Sequence, residues 1–355
     1  MYYQITLKPL ESFYFGAEDS FGSPKSEDKR ENYFSKGSAY FAKGEIFPQQ
    51  TQILGMLRKE ILKHKQHLKY YKNDMWVSQK DRGVATALVG SRWTIKQTLD
   101  LGEIEQLSPL FLLKDKSLYV PSAVDKDLIL DKIEGKSIIN GRENKTEAYR
   151  FIKKDKKPFG AKDYLCSSYI SDNGEIELDD IFTKRVRTEN QTLGYIKDDD
   201  EEQLYKMQSY SLDKEFSFVF YLTSKSDFFG SEYRSTVEIG GERSRFVFVA
   251  TKIDKLPEIS TFYELKEENC IVLLSDSLVD SSIFSYCKIS LSDKISFRTI
   301  LNRKSFSKSS RVMLLKKGTV FYPKDENARK KILACIRLKR NFRRIGYNQY
   351  IDLKN

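Results

Sequence analysis

Residues 237–249 read VEIGGERSRFVFV and set Gly240, Gly241, Glu242, Arg243 and Arg245 at the mouth of a strand-like run. Glycine has no Cβ, so it accepts positive φ and lets another backbone come close. Successive N–H groups in such a turn, flanked by guanidinium forks, can hold an anion such as phosphate. The same residues also suit a bulge or tight turn with solvated arginines, because short glycine motifs recur without function. His64 and His67 are the only histidines and the only groups suited to imidazole acid–base chemistry. They lie among Lys63, Lys65 and Lys69, where a solvated face is the ordinary reading. The carboxylates from Asp198 to Glu202 follow one another directly, as in a solvated loop rather than a metal cage. Cys166, Cys270, Cys287 and Cys335 are scattered without a Cys-x-x-Cys pair, so reduced packing residues are expected, with no zinc site and no disulfide framework. No metal, no cofactor and no catalytic residue is expected.

The elements that position these groups belong to a chain of 355 residues, long enough for roughly two domains. Hydrophobic residues at 40% and aromatic residues at 13% supply the cores. The net charge is +11, which suits a polyanionic partner such as nucleic acid or an anionic membrane, or a merely soluble basic protein. No run approaches the ~20 apolar residues of a membrane span. The amino terminus MYYQITLKPL lacks a basic stretch followed by an apolar core. A cytoplasmic protein with no membrane contact is expected.

Residues 3–8 alternate as a strand, and 17–45 read as a long loop. In FPQQTQILGMLRKEILKHKQHLKYY, Ile53, Leu54, Leu57 and Ile61 recur at helical spacing, with Arg58 and Lys59 on the basic surface. Pro48 suits the helix start and Thr51 a cap. Residues 108–125 predict two short strands around Lys114 to Lys116, ended by Pro121, and 131–163 an exposed insertion carrying Lys153, Lys154, Lys156 and Lys157. Strands are expected within 205–222, a short helix over 226–238, and a strand after the glycine pair. From about residue 253 the pattern repeats: a strand at 268–276, strands near 286–298, a hairpin at 312–322, the helix ENARKKILACIRLKR, then NFRRIGYNQYIDL. Helix, glycine turn with arginines, strand thus occurs twice, each time as the last joint of a βαββαβ unit. The expected fold class is α+β: two ferredoxin-like (RRM-like) domains in tandem with long loop insertions, over residues 1–252 and 253–355.

LKPLESFYFG, FPQQTQILGMLR, SPLFLLKDKSLYVPSAVD, the RVRTENQTLG to QLYKMQSYSL segment, IGGERSRFVF, and GTVFYP followed by RRIGYNQYI occur in that order over most of the chain. In this ordered set the sequence resembles the RAMP proteins of CRISPR systems, and within them subunit three of the type III-B (Cmr) effector complex. The resemblance implies two ferredoxin-like domains at the foot of a ribonucleoprotein, gripping the 5′ tag of the guide RNA. It implies the large polymerase-like subunit and the backbone RAMP subunits as neighbours. By matching position, Gly240, Gly241, Glu242, Arg243 and Arg245 would form the first domain's glycine loop. Arg343, Arg344, Gly346, Tyr347 and Asn348 would form the second, which keeps only Gly346 where the family's loop often carries more glycines.

Single-stranded RNA is held by cationic grooves and by planes that stack on bases. Arg58, Lys59, Arg185 and Arg187 join the two loops as expected contacts, and Tyr347 suits either base stacking or the core of the last strand. The rival reading is a RAMP endoribonuclease that processes guide precursors, with His64 as general base. A third is an assembly scaffold whose basic surface meets acidic protein partners. The expectation is a non-catalytic RNA-binding subunit.

Overall fold

The structure, a computed structural model, describes residues 1–16, 40–71, 74–78, 80–91, 93–95, 100–139, 142–153, 166–191, 203–240, 242–264, 268–302 and 307–354. Gly241, the acidic run 198–202, most of the expected 17–45 loop, and residues 154–163 of the expected insertion lie outside the described residues.

Alternation along YYQITLKP buries Tyr3, Ile5 and Leu7 on one face of strand β1 (Tyr2–Pro9). Helix α1 (Gln50–His64) follows, with Gln49 at its N-cap. The Gln52 side-chain oxygen accepts from the Gln49 N–H at 3.1 Å, so the start is a capping box built on Gln49, and the expected cap Thr51 lies inside the first turn. Next come β2 (Phe111–Lys114), β3 (Ser117–Pro121), β4 (Ser168–Ser171) and β5 (Gly174–Glu177). Strands β6 (Phe182–Gln191) and β7 (Gln203–Leu212) pair with each other. Strands β8 (Phe216–Ser224), β9 (Glu232–Ile239) and β10 (Ser244–Ile253) then return to the main sheet.

Among the described residues that sheet has nine strands, in the order β5-β4-β3-β2-β8-β1-β10-β9, with Ile104–Leu107 also beside β8. Its pairs are antiparallel, and Ile5 stands opposite both Phe220 and Ala250. The element before β10 is strand β9, which corrects the short helix expected over 226–238. EYRSTVEI is exposed and covered by turns along its length, the period of a strand, and its Thr236, Val237 and Ile239 are β-branched.

The second half contributes β11 (Cys270–Leu273), β12 (Cys287–Leu291), β13 (Val320–Pro323), helix α2 (Glu326–Leu338) and β14 (Tyr350–Leu353). Its sheet has the order β12-β13-β11-β14. Asp325 caps α2 by accepting from the Ala328 N–H at 2.7 Å. The hairpin expected over 312–322 does not form: Val312–Leu315 pairs with Lys294–Phe297, while β13 joins β11 and β12. The described part of the expected insertion is itself a long antiparallel hairpin, Leu128–Ile139 with Arg142–Lys153.

Apolar burial stacks these parts into four layers. Ile53, Leu57 and Ile61 of α1 cover Ile5, Phe220 and Phe248 on one face of the first sheet. The other face, through Phe111, Val219 and Tyr221, packs on Val272, Tyr322 and Ile351 of the second sheet. Ile332, Leu333 and Ile336 of α2 close the far side over Ile271, Leu273 and Phe321. The order is therefore helix, sheet, sheet, helix. The four cysteines form no disulfide with one another, and Cys270 and Cys287 are buried. Among the described residues no helix is long and apolar enough to cross a membrane.

Candidate nucleic-acid interface

The hairpin between β9 and β10 turns at Gly240, with φ +84°, and Arg243, with φ +53°. The left-handed region costs a side-chain-bearing residue about 1–2 kcal/mol, so other contacts must hold this tip. They come from the segment after β1: the Tyr14 N–H donates to the Ser244 hydroxyl at 3.0 Å, and the Leu10 N–H donates to the Arg245 carbonyl at 3.0 Å. Arg245 Nε lies 3.3 Å from Glu11 Oε1, and Arg187 Nη2 donates to Ser12 Oγ at 3.2 Å. Arg187 of β6 and Arg245 of β10 thus meet at one seam. Glu242, Arg243 and Arg185 are exposed. The turn joins strand to strand, which corrects the helix-to-strand reversal expected at Gly240.

The second corner lies between α2 and β14, where Gly346 has φ +94°. Its position faces Ser108, and a Cβ there would lie 2.4 Å from the Ser108 carbonyl oxygen. Arg344 donates through Nε to the Glu105 carbonyl at 3.0 Å and through Nη2 to the Ile104 carbonyl at 3.2 Å. Arg343 is half-buried, and its Nε has no hydrogen-bond partner among the described residues. Tyr347 is 2% exposed and packs against Phe297 and Phe342, with ring centroids 5.6 and 5.4 Å away. Burial pushes its phenol far above the ordinary range. Asn348 is fully buried: Nδ2 donates to Leu278 O at 2.9 Å and Ile336 O at 3.0 Å, and Oδ1 accepts from Leu278 N at 2.8 Å. Tyr347 and Asn348, both expected as RNA contacts, are thus turned inward and engaged by this chain's own residues. Gly346 is a buried packing position for the same reason.

Helix α1 stands between the corners. Lys59 Nζ lies 3.3 Å from Glu238 of β9, two residues before Gly240. Its neighbour Arg58 turns the other way, with Nη2 3.5 Å from the Asp100 carbonyl and Nε without a partner among the described residues. Burial holds the Arg58 guanidinium down to about 10, with Asp100 opposing. Arg344 is lowered by burial and by Arg340, again with Asp100 opposing. Asp100 is therefore a shared counter-charge for α1 and the last joint. His64, expected on a solvated face, is half-buried between the exposed Lys63 and Lys65, with its ring centroid 4.4 Å from that of Tyr233. Burial and Lys65 lower its pKa, with Glu60 opposing. Among the described residues no group of three or more His, Cys, Asp or Glu side chains could hold a metal ion.

Residues 29–354 match the family described as CRISPR-associated protein (Cas_Cmr3). The chain belongs to the Cas_Cmr3 family. No curated protein sequence matches it. A chain of the cryo-EM structure of the Type III-B Cmr-beta bound to cognate target RNA is 14% identical, with TM-score 0.50 over 99% of this chain and 96% of that chain. A chain of the same assembly bound to cognate target RNA and AMPPnP, state 1, is 15% identical, with TM-score 0.48 over 99% of this chain and 96% of that chain. At these identities the likeness is one of fold: strand-dominated, mixed α and β.

Several groups at the corners of this Cas_Cmr3 chain escape sequence reasoning. Glu11 and Glu238 are the counter-charges of Arg245 and Lys59, yet each is remote in sequence from its partner. Lys8 is exposed at the end of β1 beside the first corner, opposite Val247. Only the pairing of β1 with β10 brings it there.

Proposed function

We propose that this chain is a non-catalytic, RNA-binding subunit of a type III-B CRISPR effector ribonucleoprotein acting in antiviral defence. In this reading it is a RAMP protein, subunit three of the complex, and grips the 5′ tag of the guide RNA. It docks the large polymerase-like subunit onto the backbone RAMP subunits. Each sheet with its helix is a ferredoxin-like module. Four strands of the first sheet, β10-β1-β8-β2, and the second sheet, β14-β11-β13-β12, share one layout, with the first and third strands of each module central and the second and fourth flanking. Membership of the Cas_Cmr3 family, the net charge of +11 and the Cmr-beta assemblies bound to target RNA support the reading.

The single observation that carries it is the first corner: exposed Arg243, held in the left-handed region, beside an Arg245 and an Arg187 seamed to Glu11 and Ser12. Guanidinium groups fixed near a turn bind phosphate with less ordering cost than solvated ones. Lys59 and Arg58 extend the cationic path along α1 toward Arg344. Replacing Arg243 and Arg245 with Glu is expected to weaken guide capture at least tenfold while the melting temperature stays within a few degrees. Wild-type affinity in a folded variant would remove the corner from the RNA site. The endoribonuclease reading would rest on His64, which packs against Tyr233, and is met by the His64→Ala variant discussed below.

A further inference from the structure

A groove of about 830 Å³ opens between the long hairpin, the outer end of the first sheet and the second sheet. That size falls in the usual range of binding pockets, roughly 300–1,000 Å³. Its character is opposite to that of the corners. Asp125, Asp127, Glu175, Glu264 and Glu268 line it against one lysine, Lys126, in a chain of net charge +11. The floor is apolar, with Leu130, Ile170, Phe262 and Leu353, and Ile129 on its wall is 47% exposed.

Some of these carboxylates have partners within the chain. Lys126 pairs with Glu175 and Glu177, Lys288 lies 2.8 Å from Glu268, and Asp125 accepts from the Tyr322 hydroxyl at 2.5 Å. Asp127 and Glu264 are exposed at the mouth. One wall is the edge strand β5, whose outer side pairs with no strand among the described residues. A Cβ built at Gly174 there would meet no atom within 4 Å. An open edge offers unpaired backbone groups to an incoming strand. Carboxylates beside an apolar floor repel phosphate and favour a cation.

We propose that this groove docks an extended segment of a protein partner whose apolar side chains are flanked by lysine or arginine, and that the segment lies along β5. The inference rests on the proposed function only for where the partner is found, as another protein of the same ribonucleoprotein. Ile129 is replaced by the photo-cross-linker p-benzoylphenylalanine in the full chain, the ribonucleoprotein is purified from its host and irradiated, and the cross-linked peptide is sequenced. The expected product is one peptide of another protein with apolar residues between lysines or arginines. Its yield should fall at least tenfold with Asp127→Lys and Glu264→Lys together. If that variant fails to fold, Asp127→Asn with Glu264→Gln is expected to lower the yield at least threefold.

Cross-links to RNA, to a second copy of this chain, to the chain's own peptides or to nothing would each overturn the proposal, as would an unchanged yield in either folded variant. Guide RNA in the same preparation separates the two readings. RNA at its normal level without the protein cross-link sinks the groove alone. The cross-link without RNA sinks the RNA role alone.

Discussion

Asn348 sits in the left-handed region at φ +52° with its whole amide engaged by Leu278 and Ile336. Asparagine is the side-chain-bearing residue that best tolerates this conformation, and here its amide also ties the last joint to residues far back in the chain. Asn348→Ala removes three hydrogen bonds and leaves buried partners unpaired; the expected loss is about 3 kcal/mol in a denaturant titration. A loss below about 0.5 kcal/mol, the size of an ordinary surface change, would deny the residue that structural role. His64 is held differently, by ring packing on Tyr233 and Phe229. His64→Ala is expected to leave guide RNA length unchanged when expressed with the rest of the complex. Normal processing in the wild type but longer guides in this variant would replace the binding reading with the nuclease one.

The two glycine turns separate cleanly as elements. Gly240 closes a hairpin, and a Cβ there would stand 3.2 Å from the Tyr14 carbonyl oxygen. The neighbouring segment needs to give by only a few tenths of an ångström, so Gly240→Ala is expected to cost mainly the conformational term, about 1–2 kcal/mol. Gly346 is pressed against Ser108 and the side chain of Gln50 in α1, and a Cβ there would lie 2.4 Å from Ser108 O and 2.8 Å from the Gln50 amide. Backbone must move, and Gly346→Ala is expected to cost about 2–5 kcal/mol, conformational strain plus overpacking. Thermal unfolding of the pair tests the order; equal losses would mean that the second corner is looser than its contacts imply. The contrast is also one of exposure: the hairpin tip is exposed and cationic, while Gly346, Tyr347 and Asn348 of the last joint are buried.

At the scale of the whole molecule, the two sheets cover each other's open faces through Phe111, Val219 and Tyr221 against Val272, Tyr322 and Ile351. An RRM-like sheet commonly reads RNA with aromatics on that face, and here the face is core. In the proposed RNA-binding role, contact would fall to loops, edges and α1, so affinity should be largely ionic. If about six guide phosphates are neutralised, log affinity should fall with log salt at a slope of roughly −4. A flat salt dependence in filter binding would point to the scaffold reading instead.

The sequence by itself determined what contiguous residues can determine: the alternation that buries Tyr3, Ile5 and Leu7 in β1, the helical spacing of Ile53, Leu54, Leu57 and Ile61, and a helix along ENARKKILACIRL. The tertiary structure alone decided that 232–239 pairs as a strand, that Tyr347 and Asn348 face inward, and that Glu11 and Glu238 meet Arg245 and Lys59. Periodicity and capping act within a few residues, whereas burial and counter-charge depend on which distant surfaces meet, and those are set only when the sheets pair and stack.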